Sequence, residues 1–382
     1  MKIAFYAPMK PPTDPVPSGD RRLARLLIAA LERGGATVTL ASRYGTYDRG
    51  DAARQRRIQG IGERLAARLI ARYRLRPDER PDLWFTYHLY HKAPDPIGPL
   101  VAAALGIPYV VAEASHAPKQ AGGAWDVGYR AAEAAIRAAD RIYGINPVDS
   151  ACLRPLLKHP SVITDLPLFI DTAPFQADLA RKRAARAALD AEFGLRPGGP
   201  LILTVAMMRA DQKLASYQVL AEALAGLGTR PWQILIVGGG PAEAEVRRAM
   251  QPLGDRVRFA GLRQGAHLAE TFAAADIFAW PAVKEAVGMV FLEASAAGLS
   301  VVAGRSGGID TILEDGRTGL VVSAGDAAAM ALALARLLDD PALARQLGEA
   351  AAVRARVVHD TDVAAAFLQR DLAEVIRGYH AR

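Results

Sequence analysis

Residues 280–298 read WPAVKEAVGMVFLEASAAG. The run before them, DIFAW (276–280), is short and apolar and stops at Pro281. A loop follows, and a helix is expected to begin near Val287. Strand, loop and helix in that order make one step of a parallel sheet. Glu285 falls in the loop and Glu293 inside the helix, eight residues later. At 100° per residue they differ by roughly 80° of azimuth. Both carboxylates are therefore expected to look into one cleft. An ionised carboxylate accepts two or more hydroxyl hydrogen bonds, which suits a polyhydroxylated ligand. Gly288 would leave the first N–H groups of the helix open to an oxygen-rich or anionic group. The pattern is also met by a first-turn acid at Glu285 and a solvent-facing Glu293.

The same step recurs on both sides. PLILTVAM (200–207), QILIVGGG (233–240), VRFAG (257–261), SVVAG (300–304) and GLVVS (319–323) read as strands, with helical patterns between them. From Asp326 to the end the pattern is almost all helical. The first half alternates likewise. KIAFYAP (2–8), TVTLASR (37–43), DLWFTYHLY (82–90), PYVVAEASH (108–116) and RIYGIN (141–146) are apolar runs, and RRLARLLIAALERGG (21–35) is an amphipathic helix closed by glycines. TDLPLFIDTAPFQ (164–176) breaks the alternation and reads as an interdomain linker. The expected architecture is α/β, with two facing Rossmann-like domains built on parallel sheets. The expected boundaries are 1–166, 167–355 and a terminal helical segment, 356–382, returning to the first domain. In open parallel sheets, ligands bind beyond the carboxyl ends of the strands, where strand order reverses.

Several residues fall at such ends. Gly238, Gly239 and Gly240 follow a strand, where backbone can approach a ligand closely. Arg209 and Lys213 follow LILTVAM, and a guanidinium with an ammonium there could clamp a diphosphate. PVPSGDRR (15–22) carries Gly19 into a helix N-terminus, a phosphate-facing position. His116 ends PYVVAEASH. His88 and His91, in TYHLYH, end another strand and fit either an acceptor pocket or ordinary surface.

With these residues in place, the second half resembles glycosyltransferase family 4, whose fold is the GT-B arrangement. The signature is Pro281, Glu285, Gly288 and Glu293 after a strand, continued by SVVAGRSGGIDTILEDGRTGLVV (300–322). The likeness covers nearly the whole chain and is strongest over 200–322. It implies a retaining transferase that uses a nucleotide-sugar donor. Glu285 would contact the transferred sugar, and Glu293 the ribose hydroxyls. Gly19 and Gly288 would meet sugar and diphosphate by backbone, and Arg209 and Lys213 would neutralise the leaving diphosphate. LGIPYVVAEASH (105–116) matches the family context in which a histidine, here His116, faces the donor sugar. Two departures stand out. Met207 replaces the usual glycine, and Lys213-Leu214 replaces Lys-Gly. The resemblance implies no cofactor and no metal, because basic side chains meet the diphosphate.

Length and composition bound these readings. The 382 residues suit two domains, possibly three, at ~100–200 residues each. The single cysteine, Cys152, leaves no intrachain disulfide and no thiolate-rich metal site. No apolar run reaches ~18 residues, and the N-terminus has no signal-peptide pattern, so a cytoplasmic protein is expected. Net charge is +7, but residues 1–168 carry 24 Lys and Arg against 16 Asp and Glu, so the surplus lies wholly in the first half. Eleven arginines lie between Arg43 and Arg80. IGERLAARLIARYRLR (61–76) there is amphipathic. It fits a peripheral helix on an anionic inner membrane face, with a saccharide or lipid-linked acceptor, or a helix packed on its own core. No nucleic-acid partner is expected. The competing classes are an epimerase of the same fold, an inactive scaffold and an NAD(P)-binding oxidoreductase. Against the last, the first βα turn, YAPMKPPTDPVPSGDRR, has no G-x-G-x-x-G.

Overall fold

The structure is a computed structural model that describes residues 1–381 except Pro17, Ala286 and Val287. The chain divides into two compact units, Met1–Pro167 with Thr361–Arg382, and Leu168–Asp360. In the first unit the order is β1 (Lys2–Tyr6), α1 (Gly19–Arg33), β2 (Thr37–Ser42), α2 (Ala52–Leu75), β3 (Leu83–Leu89), α3 (Gly98–Leu105), β4 (Tyr109–Ala114), α4 (Asp126–Ala138), β5 (Arg141–Gly144), α5 (Pro147–Leu153) and β6 (Ile163–Asp165). The second unit runs α6 (Leu179–Phe193), β7 (Leu201–Val205), α7 (Gln212–Ala225), β8 (Gln233–Val237), α8 (Glu243–Met250), β9 (Val257–Gly261), α9 (Gly265–Ala274), β10 (Ile277–Trp280), α10 (Met289–Ala296), β11 (Ser300–Arg305), α11 (Ile309–Ile312), β12 (Leu320–Ser323), α12 (Ala327–Asp339) and α13 (Pro341–Val358). Helix α14 (Thr361–His380) belongs to the first unit.

Each unit holds a six-stranded sheet with parallel pairing throughout, ordered β2-β1-β3-β4-β5-β6 and β12-β11-β10-β7-β8-β9. Strand order reverses between β1 and β3 in the first, and between β10 and β7 in the second. The central strands are apolar on both faces because helices cover both, as parallel sheets require. All five residues of QILIV in β8 are buried. Trp84 and Trp280 are fully enclosed, each worth about 2–3 kcal/mol in removed apolar surface. Helix starts are fixed locally: Ser18 accepts from Arg21 N, and Asp51, Asp178, Asp211, Asp326 and Asp340 cap α2, α6, α7, α12 and α13.

Two expectations are corrected, and a third cannot be compared. The segment read as a linker begins inside strand β6, which is too short to show alternation, and includes Leu168, Phe169 and Ile170, which are buried. The return to the first unit comes at Asp360/Thr361 rather than at 355/356, because α13 runs through Val358. The expected helix start near Val287 lies outside the described residues; Gly288 is the N-cap of α10.

Helix α14 is held to its unit by Arg33–Asp362 (2.8 Å), Tyr143 Oη donating to Asp371 Oδ2 (2.7 Å) and Arg141 Nε–Asp371 (3.0 Å). Helix α2 turns its apolar side inward: Ile58, Gly62, Ala66 and Tyr73 are buried, and Leu65, Leu69 and Ile70 pack on the core. The reading of 61–76 as a core-packed helix is the one the structure bears out. Arg54, Arg57, Arg64, Arg68 and Arg72 remain exposed, within roughly 80° of azimuth along about 27 Å of helix.

The second unit clamps its own two ends. Ile170 N donates to His359 O (2.9 Å), Thr172 Oγ1 donates to Asp360 Oδ2 (2.5 Å), and His359 Nδ1 lies 2.7 Å from Leu168 O. His359 is 1% exposed, and its Nε2 is buried with no hydrogen-bond partner among the described residues. A proton there would be buried unpaired. Burial therefore lowers the pKa to about 4, helped by Arg354 and opposed by the bond to Leu168. An unfolded histidine titrates near ~6.5, so between those values the unfolded chain binds more protons and stability rises with pH. The contribution is fully present above about pH 6.5 and is lost as pH falls towards 4, roughly 3 kcal/mol at most. The thermal midpoint should therefore drop over this range, and His359→Asn should flatten the drop. An unaltered slope in that variant would count against the assignment.

Candidate functional site

The sheet of the second unit reverses order between β10 and β7, and the loops leaving these strands carry the predicted residues. Asp211 caps α7 by accepting from Lys213 N (2.9 Å), which sets Lys213 in the first turn. Its ammonium forms an ion pair with Glu285 Oε2, and Trp280 Nε1 donates to the same oxygen (3.3 Å). The ammonium also sits 5.4 Å from the centre of the Trp280 ring. Tyr217 packs edge-on against that ring, and its hydroxyl donates to Ala206 O (2.9 Å). Both charged side chains stay partly open, at 19% and 17% exposure. A cation and a carboxylate on either side of the reversal form a ligand-ready pair, and Trp280 fixes both. Arg209 stands apart, half exposed, with Nε 3.4 Å from Asp211 Oδ2.

The remaining predictions fare differently. Glu293 is only 2% exposed, so it neither faces solvent nor shares the open surface of Glu285. Gly288 has φ +66°, and a Cβ there would lie 2.8 Å from the Phe291 ring. Gly238 serves packing: at φ +149° its missing Cβ would stand 1.9 Å from Ala206 O, in the loop leading to Arg209 and Lys213. Gly240 makes the same room for Met208 O (2.3 Å). Gly239 donates nothing to that fit; a Cβ on it would only touch Leu262 at 3.4 Å.

In the first unit the order reverses between β1 and β3. Gly19 opens α1 with free space around its Cβ position. The next residue, Asp20, meets the ring of His88 from β3, Oδ1 to Nδ1 at 3.0 Å. Burial disfavours the charged imidazole, but Glu113 and Asp20 outweigh it and hold its pKa above the ordinary value. Burial also acts on Asp20, and the bond to His88 overrides it and lowers its pKa. Glu113 and Asp149 are both raised by burial, with His88 opposing. His116 turns towards α4, stacked on Tyr129 at 5.2 Å with Nε2 3.1 Å from its hydroxyl and 3.5 Å from Glu133. His91 packs edge-on to Trp125, both ring nitrogens buried.

Backbone strain marks the same two places. The non-glycine residues with positive φ among the described residues are His88 (62°), Glu113 (58°), Ala282 (52°) and Lys284 (58°). Such conformations cost on the order of 1–3 kcal/mol each and gather where a site over-determines them. Trp280 lay in the quoted stretch without a role, and Asp20 and Glu113 adjoin quoted residues; only the contacts reveal them. Among the described residues no group of three His, Cys, Asp or Glu side chains is placed to hold a metal ion.

Residues 199–340 match the family described as Glycosyl transferases group 1. D-inositol 3-phosphate glycosyltransferase of Nocardia farcinica is 37% identical over 192 residues, covering 47% of this chain and 42% of its own. GDP-mannose-dependent alpha-(1-6)-phosphatidylinositol monomannoside mannosyltransferase of Mycolicibacterium smegmatis is 35% identical over 201 residues, with 50% of each chain covered. The chain thus spans about half the length of the curated relatives it matches. The solved structure of Anabaena Alr3699/HepE in complex with UDP superposes with a TM-score of 0.74, covering 98% of this chain and 100% of that one at 17% identity. That likeness shows the GT-B fold.

Proposed function

From a chain whose residues 199–340 match the glycosyl transferases group 1 family, we propose a glycosyltransferase that takes its sugar from a nucleoside diphosphate. The observation that carries this reading is the Lys213–Glu285 pair at the order reversal of the second sheet. Lys213, at the start of α7, would meet the diphosphate, with the half-exposed Arg209 as a second cation. Glu285 would accept hydroxyl hydrogen bonds from the transferred sugar. No metal is assigned to the diphosphate. In the step itself the bond from the anomeric carbon to the phosphate oxygen breaks, and a bond from the acceptor oxygen to that carbon forms. The acceptor proton passes to the departing phosphate, and the anomeric configuration is retained. The positive groups gain most as charge collects on the leaving diphosphate.

Calorimetric titration with UDP, GDP and ADP, then with their sugars, tests the reading. Binding of one nucleoside diphosphate, with retained configuration in the NMR spectrum of the product, is the expected result. Binding of NAD(H) in place of all of them would overturn it, and release of free epimer without acceptor would favour the epimerase.

The acceptor is read as a saccharide or lipid-linked saccharide, assembled at an anionic inner membrane face. Support comes from the exposed arginine row on α2; the apolar face of that helix is occupied by its own core, so attraction would be electrostatic. No helix among the described residues is long and apolar enough to cross a membrane. The protein should sediment with phosphatidylserine-containing vesicles at low salt and be released at about 0.5 M salt, where the Debye length is only a few Å. Glu at Arg57, Arg64 and Arg68 together should abolish sedimentation. Binding that persists in that triple variant would reject the arginine row.

A further inference from the structure

The first sheet carries, at its own order reversal, a carboxylate–imidazole pair outside the Pro281–Glu293 motif. Asp20 follows β1 and His88 ends β3; Glu113 lies in β4 and Asp149 in the first turn of α5 after β5. β1, β3, β4 and β5 are neighbours in the sheet, so all four groups gather at one edge. β3 and β4 pair through Tyr87↔Ala112 and Leu89↔Ala114, which sets His88 and Glu113 side by side. Among the described residues of the unit, these are the two non-glycine residues with positive φ.

Three features turn this cluster outward to a ligand. The bond from His88 Nδ1 to Asp20 fixes the ring and leaves Nε2 as its second working atom, and the ring is 20% exposed. His88 stacks on Tyr90 at 5.0 Å, which holds its plane. Glu113 Oε2 is buried and accepts no hydrogen bond, although Tyr87 bonds the same carboxyl. An oxygen shut from water without a donor is costly to leave so, and a ligand hydroxyl supplies the missing donor.

Three carboxylates facing one imidazole make this edge locally acidic within the most basic part of the chain. Lys10 acts on Asp20, and it also lies 3.6 Å from Asp14. A phosphomonoester set among Asp20, Glu113 and Asp149 would meet three carboxyls, with like charge held firmly at Asp20.

We propose that the Asp20–His88 pair, with Glu113 and Asp149, binds the hydroxyl groups of an uncharged sugar or polyol acceptor and rejects a phosphorylated one. The proposal rests on the transferase reading for the word acceptor. It sets this chain apart from the relative named for D-inositol 3-phosphate.

The test uses the full chain labelled with ¹⁵N-histidine. myo-Inositol and methyl α-D-glucopyranoside should shift the His88 Nε2 resonance at millimolar concentration. D-Inositol 3-phosphate should bind on the order of 10²-fold more weakly. Followed by calorimetric titration, because the variant lacks the reporting ring, His88→Gln should abolish binding of the neutral probes, and Asp149→Asn should improve the phosphorylated probe at least about fivefold. Equal or tighter binding of the phosphate, or no shift of His88 with any probe, would overturn the proposal. UDP and GDP binding, measured in the same samples, reports on Lys213–Glu285. Its loss alone would remove the transferase reading and leave the His88 result standing.

Discussion

Lys213→Ala should lower kcat/KM by about 10²–10³ with little change in nucleoside affinity for its base and ribose. The argument is differential: one fixed cation gains strength as charge moves onto the departing diphosphate, and removing such a donor costs that much elsewhere. Its geometry supports the expectation. Lys213 is held by the Asp211 cap, the Trp280 face and Glu285, so little reorganisation is needed at the moment of transfer. Glu285→Ala should be as severe, because it removes the sugar contact and frees the ammonium from its position. A purely structural ion pair would behave otherwise. It is partly exposed, and its loss should cost only about 1 kcal/mol or somewhat more. The double variant, Lys213→Ala with Glu285→Ala, separates the two. It leaves no unpaired charge, so its thermal midpoint should recover while transfer stays abolished. Near-native turnover in any folded member of the set would sink the assignment.

Gly238→Ala should destabilise the second unit by roughly 3 kcal/mol or more, and Gly239→Ala should scarcely matter. A Cβ on Gly238 would meet Ala206 O at 1.9 Å, a backbone atom that cannot swing aside as a side chain can. Its φ of +149° adds strain for any L residue. Overpacking of this kind usually costs about 1–3 kcal/mol before the strain is counted. Relief would require the loop after β7 to move, and that loop carries Arg209 and leads into the first turn of α7 with Lys213. Nucleotide affinity should therefore fall with stability. At Gly239 a Cβ reaches only the Leu262 side chain, at 3.4 Å, which can adjust. Thermal midpoints and UDP titrations of the two variants decide between packing and ligand approach. If Gly239→Ala lost nucleotide binding with an intact midpoint, the glycine run would be a ligand contact after all.

The same pair of positions explains how much could be read beforehand. Strand ends and helix starts were visible because apolar runs and capping residues act locally, within a few neighbours. Glu285 and Lys213 could be marked as candidates by their place after β10 and β7. That they touch is a property of the sheet order, since β10 and β7 are far apart in sequence yet adjacent in the sheet. Glu293 shows the reverse. Its azimuth set it beside Glu285 in one cleft, and packing around α10 leaves it only 2% exposed. The glycine run could be placed after β8 from sequence, but only the fold shows that Gly238, at φ +149°, lies against the carbonyl oxygen of Ala206.

Charge offers the sharpest contrast. Composition placed the basic surplus in the first half, and the helix pattern placed much of it on α2, which the structure keeps as an exposed arginine row. Neither could show that the edge of that basic unit is acidic. Asp20, His88, Glu113 and Asp149 are scattered along the chain and meet only because β1, β3, β4 and β5 lie side by side. Sequence alone determined the alternation, the parallel sheets and the motif after β10, since those follow from periodicity and local chemistry. The tertiary structure alone decided which charges face each other, because electrostatic neighbours are set by strand order and not by distance along the chain.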